Sequence, residues 1–193
     1  FYDGPFDAQM RIKLLETYKV SVFCAAATEI RQLVQLDTRQ NDLSTLRLSV
    51  SAGESVNPEI VRAWSAKTGA PLLDGYGQTE TLMTVLNYQE MAVKPGSMGK
   101  PLPGTEAAIL TEGGGYAAPH EPGQLAIKYP NPQIMLGYWD NPEKTAENFA
   151  EIDGVTWFLT GDTAYMDEDG YLFFGGRDDD LINSSGYRIG PME

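Results

Sequence analysis

Through the first ninety residues, apolar positions recur three and four apart in some stretches and cluster in short runs in others. This spacing predicts amphipathic helices alternating with brief buried strands. Asp7 is placed to cap a helix running to about Tyr18, with Met10, Leu14 and Leu15 turned inward. A strand is expected over 20–24, then a helix with Ile30, Leu33 and Val34 on one face. The polar stretch 37–44 follows, and after it a strand over 46–50. The clearest helix signal begins at Asn57, an N-cap followed by Pro58, whose missing N–H costs nothing in a first turn. Val56 can pack on Val61 as a staple, Ile60, Val61 and Trp64 form the apolar stripe, and Gly69 ends the helix. Leu72-Leu73 begins a further strand.

The pattern changes after Asn87. Pro95, Gly96, Pro101, Pro103, Gly104, Gly113-Gly114-Gly115, Pro119 and Pro122-Gly123 punctuate strands expected near 106–110 and 124–129. One helix, capped by Asn141 with Pro142 behind it, interrupts them. Strands over 157–159, 163–166 and 171–174 follow, with residues 167–170 turning the last pair. The expected fold class is therefore α/β. It comprises a parallel α/β layer over 1–94, a small antiparallel β subdomain over 95–176, and a linker-like tail over 177–193.

Composition narrows the function. The 193 residues carry 27 acidic and 14 basic side chains, a formal net charge of −13. That field disfavours nucleic acid and anionic membranes as partners, and any anionic ligand would need backbone donors, a metal ion or a few placed arginines. Arg177 and Arg188 stand out for that reason. The single cysteine, Cys24, cannot form an internal disulfide, which suits a reducing compartment, and its apolar flanks suggest a buried structural thiol. The single histidine, His120, lies in a turn and reads as solvated. No apolar run reaches membrane-spanning length, and the first residues do not read as a secretory signal.

Three segments carry unusual chemistry. Ser51-Ala52-Gly53-Glu54-Ser55 joins a strand to a helix; small residues there admit a planar ligand to the backbone, although any such turn favours them. In Asp74-Gly75-Tyr76-Gly77-Gln78-Thr79-Glu80-Thr81, the glycines would allow a tight bend that exposes Tyr76 to stack on a base. Thr79 could donate to a phosphate oxygen and Glu80 could hold Mg²⁺; the plain alternative is a glycine-rich turn. The third segment runs from Thr160-Gly161-Asp162 through Gly175-Gly176-Arg177-Asp178-Asp179-Asp180 to Ser184-Ser185-Gly186-Tyr187-Arg188. A carboxylate such as Asp162 suits a ribose diol, and an arginine suits the same diol or a phosphate. The triple aspartate also reads as a solvated loop.

In this order the segments resemble the adenylate-forming enzymes, and most closely the short- and medium-chain acyl-CoA synthetases. Pro95-Gly96-Ser97-Met98-Gly99-Lys100-Pro101 and Gly137-Tyr138-Trp139 fall between them in the family's order. The resemblance implies that a carboxylic acid and ATP give acyl-AMP and pyrophosphate, and that the acyl group passes to coenzyme A. By matching position it implies that Gly53, Glu54 and Ser55 line the adenine pocket, and that Asp74, Gly75, Tyr76, Gly77 and Gln78 wrap the base and the acyl-phosphate junction. Thr79 would bind the α-phosphate, Glu80 the Mg²⁺ ion, and Asp162 and Arg177 the ribose. Asp179 falls at the hinge of a mobile C-terminal domain. Ser185, Gly186 and Tyr187 would border the coenzyme A channel, with Arg188 reaching phosphate or coenzyme A.

Two family features have no counterpart here: the phosphate loop ending in lysine, and the C-terminal domain with its catalytic lysine. Ala25-Ala26-Ala27 stands where relatives usually carry prolines. The expectation is a fragment of an AMP-forming acid–thiol ligase, inactive alone, whose partners are a small carboxylate, the rest of the enzyme and, through exposed apolar surface, other copies. Leu82 and Met83 are candidates for the acyl pocket. The expected location is cytoplasmic, or the mitochondrial matrix in a eukaryote. The rival readings are an adenylation domain that loads a carrier protein and a non-catalytic remnant serving as scaffold or interaction module.

Overall fold

The computed structural model describes residues 4–54, 56–88 and 91–177, together with the backbone of 182–184 and 187–189. The chain forms two compact units, one of Phe1–Gly75 with Tyr88–Gly96 and one of Tyr76–Asn87 with Ser97–Glu193. The class is α/β, with a parallel sheet and helices in the first unit and antiparallel strands dominating the second.

In the first unit, helix α1 (Ala8–Thr17) starts at Asp7, whose carboxylate accepts from the Met10 amide at 2.6 Å. Ile12 and Leu15 are its buried residues, whereas Met10 faces solvent, so the inward face lies a little further round than expected. Strand β1 (Val22–Cys24) alternates, with Phe23 inward and its neighbours outward. Cys24 is thus exposed, which corrects the expected buried thiol: apolar flanks do not override the two-residue period of a strand.

Helix α2 (Ala27–Leu33) buries Ile30 and Leu33 completely. Strand β2 (Leu48–Ser51) pairs in parallel with β1. Helix α3 (Pro58–Thr68) follows the Asn57 cap, which accepts from the Glu59 amide, and ends at Gly69 in the left-handed conformation. Strand β3 (Leu72–Gln78) begins in this unit, pairing in parallel with β2 through residues 72–74. The core gathers Ile12, Leu15, Ile30, Leu33, Leu46, Val61, Trp64 and Leu72. Trp64 is fully buried, stands 5.9 Å from the Phe23 ring, and donates its indole N–H to Ser49 Oγ at 2.9 Å.

In the second unit, β4 (Leu82–Leu86) pairs antiparallel with the short β5 (Lys100–Pro101). Strands β6 (Ala107–Leu110) and β7 (Gly123–Lys128) pair antiparallel, and helix α4 (Pro142–Glu147) follows. Then come β8 (Phe149–Ile152), the long β9 (Val155–Met166) and β10 (Leu172–Arg177). The sheet order is β10-β9-β7-β6, with β8 also on β9. Two strands expected over 157–159 and 163–166 are therefore one, carried across Thr160-Gly161-Asp162 with irregular registers against β7 and β10. Gly99 needs to be glycine: at φ +97° its missing Cβ would lie 2.1 Å from a Leu86 backbone atom. Short strands β11 (Ile182–Ser184) and β12 (Tyr187–Ile189) pair antiparallel at the backbone.

Trp64 carries the first unit's core and also satisfies the Ser49 hydroxyl. Trp64→Ala should lower unfolding stability by about 3–5 kcal/mol, measured by chemical denaturation at pH 7. A loss below about 1 kcal/mol would mean that the site collapses without leaving a cavity.

Candidate functional site

The second unit brings one group of sequence-predicted residues together around a buried carboxylate. Strand β3 does not stop at Leu73 but runs through Gly75 to Gln78, so the stretch expected as a tight turn is extended chain. Its alternation turns Tyr76 inward among Val85, Met98, Leu125 and Leu172. The ring is 8% exposed, which corrects the expectation of an open stacking face. Its hydroxyl donates to Asp162 Oδ2 at 2.5 Å. Gln78, two residues on, reaches the same oxygen through Nε2 at 2.6 Å and the Thr160 carbonyl at 2.8 Å.

Asp162 sits in the middle of β9 and is 4% exposed. An ionised carboxylate at that depth is tolerable only when donors surround it. Two neutral donors converge on one oxygen, and Arg177 lies opposite Asp162 in the β9–β10 register. Thr160 supports the same spot, donating its hydroxyl to the Leu125 carbonyl at 2.8 Å and accepting from the Asp162 amide at 3.2 Å. The Tyr76 phenol is held well above its ordinary pKa, first by burial and then by its hydrogen bond to Asp162, so it remains a donor.

Beyond Gln78 the chain turns sharply. Thr81 is fully buried and fastens the turn with one hydroxyl, accepting from the Gln78 amide and donating to the Leu82 carbonyl, both at 3.1 Å. Gly77 faces that carbonyl so closely that a Cβ would lie 1.9 Å from it. Leu82 is left at φ +52° with an exposed side chain. Thr79 is exposed at the turn, and Glu80 is half-buried beside it.

Glu80 is held by a loop that sequence reasoning did not connect to it. Tyr138 Oη donates to Glu80 Oε1 at 3.0 Å, and the Met135 amide donates to the Glu80 carbonyl at 2.7 Å. Gln133 fixes the adjacent Met83 carbonyl at 2.7 Å. The signal for Tyr138 was its place in Gly137-Tyr138-Trp139, but nothing in the local pattern tied it to residue 80.

Gly53, Glu54 and Asp74 lie in the first unit. Gly53 adopts φ +92°, and Glu54 Oε1 accepts from the Thr28 amide at 2.6 Å, so this carboxylate braces the start of α2. Asp74, 8% exposed, pairs with Ser51 in the parallel register and accepts from the Gly75 amide at 2.9 Å. Ser51 Oγ is buried without a hydrogen-bond partner. Burial pushes the Asp74 carboxyl up to about 7, against the lowering effect of the Val56 and Gly75 amides. His120 is exposed, with Nε2 2.7 Å from Glu168 Oε2. Ser55, Asp178, Asp179, Asp180, Ser185 and Gly186 lie outside the described residues, as do the side chains of Tyr187 and Arg188.

Residues 2–139 match the family model described as AMP-binding enzyme. The chain belongs to that family. It is 43% identical over 192 residues to the mitochondrial acyl-coenzyme A synthetase ACSM3 of Mus musculus, covering 97% of this chain and 32% of that protein. Among solved structures it resembles the anthranilate CoA ligase AuaEII in complex with anthranoyl-AMP, with a TM-score of 0.87 and 31% identity. That match covers 99% of this chain and 36% of the other. ATP-bound MatB from Rhodopseudomonas palustris aligns with a TM-score of 0.84 and 32% identity, over 97% and 36% of the two chains. The chain thus spans about a third of the length of the relatives it matches.

The raised Asp74 carboxyl binds its proton more tightly in the folded state than in the unfolded one. Its contribution is fully present below the ordinary value of 3.8 and is lost as pH rises to about 7. Asp74→Asn should therefore stabilise the chain relative to the unmodified protein increasingly from pH 4 to pH 7, by on the order of 4 kcal/mol at most. Denaturation midpoints at several pH values check this. A difference that does not change with pH would contradict the assignment.

Proposed function

We propose that the protein of which this sequence is part is an AMP-forming acyl-CoA synthetase of short- or medium-chain carboxylic acids. It joins the acid to ATP as acyl-AMP and then transfers the acyl group to coenzyme A. The observation that carries the reading is the Asp162 carboxylate, buried, fixed by two neutral donors and flanked in register by Arg177. Oδ2 already accepts a hydrogen bond from the Tyr76 hydroxyl, the same chemistry by which a carboxylate takes a ribose diol. Arg177 adds a forked cation for the diol or an adjacent phosphate. Thr79, exposed at the turn, presents its hydroxyl to the α-phosphate.

Magnesium fits this arrangement. Among the described residues no group of three His, Cys, Asp or Glu could cage a metal, so the protein offers the hard oxygen of Glu80 and leaves the other positions to phosphate and water. That is how Mg²⁺ ordinarily accompanies a nucleotide. When bound, the ion neutralises charge developing on the phosphates; Glu80 holds its place and Thr79 orients the α-phosphate. The residues do not form a covalent intermediate in this scheme; they position and stabilise. Coenzyme A rather than a carrier protein is favoured as acyl acceptor because ACSM3 and AuaEII are named for coenzyme A chemistry. No helix among the described residues is long and apolar enough to cross a membrane. A reducing cytoplasm or mitochondrial matrix suits the exposed Cys24 thiol.

Calorimetric titration with a non-hydrolysable acyl-adenylate analogue tests the reading. Asp162→Ala should weaken binding by about ten- to a hundredfold, the loss of a charge-assisted contact worth about 1.5–3 kcal/mol. Circular dichroism should show the variant folded. Equal affinity in the two proteins would contradict the reading.

A further inference from the structure

The loop over 131–141 makes two hydrogen bonds to Glu80 and a third to Met83 in the strand that follows the turn. The Met135 amide fixes its carbonyl and the Tyr138 hydroxyl fixes its carboxylate, while Gln133 holds Met83. Main chain and side chain of one residue are thus secured from a single loop. The loop has its own anchor. The Tyr138 amide donates to Thr145 Oγ1 at 2.9 Å, and that hydroxyl donates to the Asn141 carbonyl at 2.9 Å. Asn141 caps α4 through its side chain, accepting from the Lys144 amide at 3.0 Å. Gly137 lies against the same threonine, where a Cβ would come within 3.1 Å of Oγ1.

The chemistry of the Tyr138 contact matters as much as its geometry. A lysine or arginine in this place would neutralise the carboxylate and compete with a metal ion. A neutral phenol takes only one lone pair of Oε1, leaves the negative charge intact, and removes the rotational freedom of a flexible side chain. Carboxylates that must meet a ligand in one orientation are commonly held by such a supporting hydrogen bond.

We propose that Tyr138 is a positioning residue that aims the Glu80 carboxylate at the divalent cation accompanying the nucleotide, with Thr145 as its support. This rests on the reading of Glu80 as the magnesium-facing group. It adds a named residue, outside the segment that carries Glu80, on which the metal contact depends.

The test uses Mn²⁺, an oxygen-seeking probe observable by electron paramagnetic resonance. Mn²⁺ uptake in the presence of ATP would be measured for the chain and for Tyr138→Phe, Glu80→Gln and the double variant. Tyr138→Phe should weaken Mn²⁺ uptake about ten- to a hundredfold, the loss of the hydrogen bond that orients a metal-facing carboxylate. ATP affinity without metal should not change. Glu80→Gln should weaken uptake at least as much, and Tyr138→Phe should have no further effect in that background. Thr145→Val, which removes the support without touching the phenol, should shift uptake in the same direction and serves if Tyr138→Phe unfolds. Equal uptake by the chain and Tyr138→Phe overturns the inference alone, as does an equal loss with Glu80 intact or replaced, since that marks a merely structural residue. No Mn²⁺ uptake by the unmodified chain with ATP overturns the nucleotide reading, and this inference with it.

Discussion

A carboxylate buried in a sheet must be satisfied or it destabilises the fold, and Asp162 meets that demand with groups supplied by the candidate site. Tyr76 and Gln78 reach one of its oxygens from the end of β3, and Thr160 binds its amide from within β9. Those contacts decide where β3 continues, which way Tyr76 faces, and where the chain next turns. Removing the acid would take away the carboxylate acceptor of a buried phenol and one of the two acceptors of the Gln78 amide, so fold and site are secured by the same group. Such coupling is expected where recognition depends on fixed polar geometry rather than on adaptable loops.

From that fixed point the exposed chemistry follows in steps. The strand ends at Gln78, and the buried Thr81 hydroxyl closes the turn with one accepted and one donated hydrogen bond. Closure puts Thr79 and Glu80 on the outside and forces Leu82 into a left-handed conformation that costs a leucine about 1 kcal/mol or more. The loop before α4 then holds Glu80 from the side. A hydroxyl and a carboxylate are therefore presented at defined positions by groups that do not themselves carry the charge.

Much of the fold was legible in the sequence wherever one local rule dominates. The Asn57–Pro58 start and Gly69 end of α3, the Asp7 and Asn141 caps, and the turn of residues 167–170 are set by neighbouring residues. Legibility failed where tertiary structure decides. Cys24 has apolar flanks in sequence and Met10 stands four residues before Leu14, yet both lie on the outer face of their elements. The glycines around Tyr76 suggested a bend, yet Gly77 is small because a backbone passes against it, not because the chain turns there. Thr160-Gly161-Asp162 looked like a break between strands, while β9 runs through it because Asp162 is met by side chains from β3. The candidates in the second and third segments could be picked by residue type, but their grouping could not. The contacts Tyr76–Asp162 and Glu80–Tyr138 span 86 and 58 residues, beyond any local pattern.

The most direct test of the account is an amide NMR titration of the ¹⁵N-labelled chain with AMP. Saturable shifts concentrated at residues 76–80, 160–162 and 177 are expected. Saturable shifts confined elsewhere, with these signals unmoved, would contradict it.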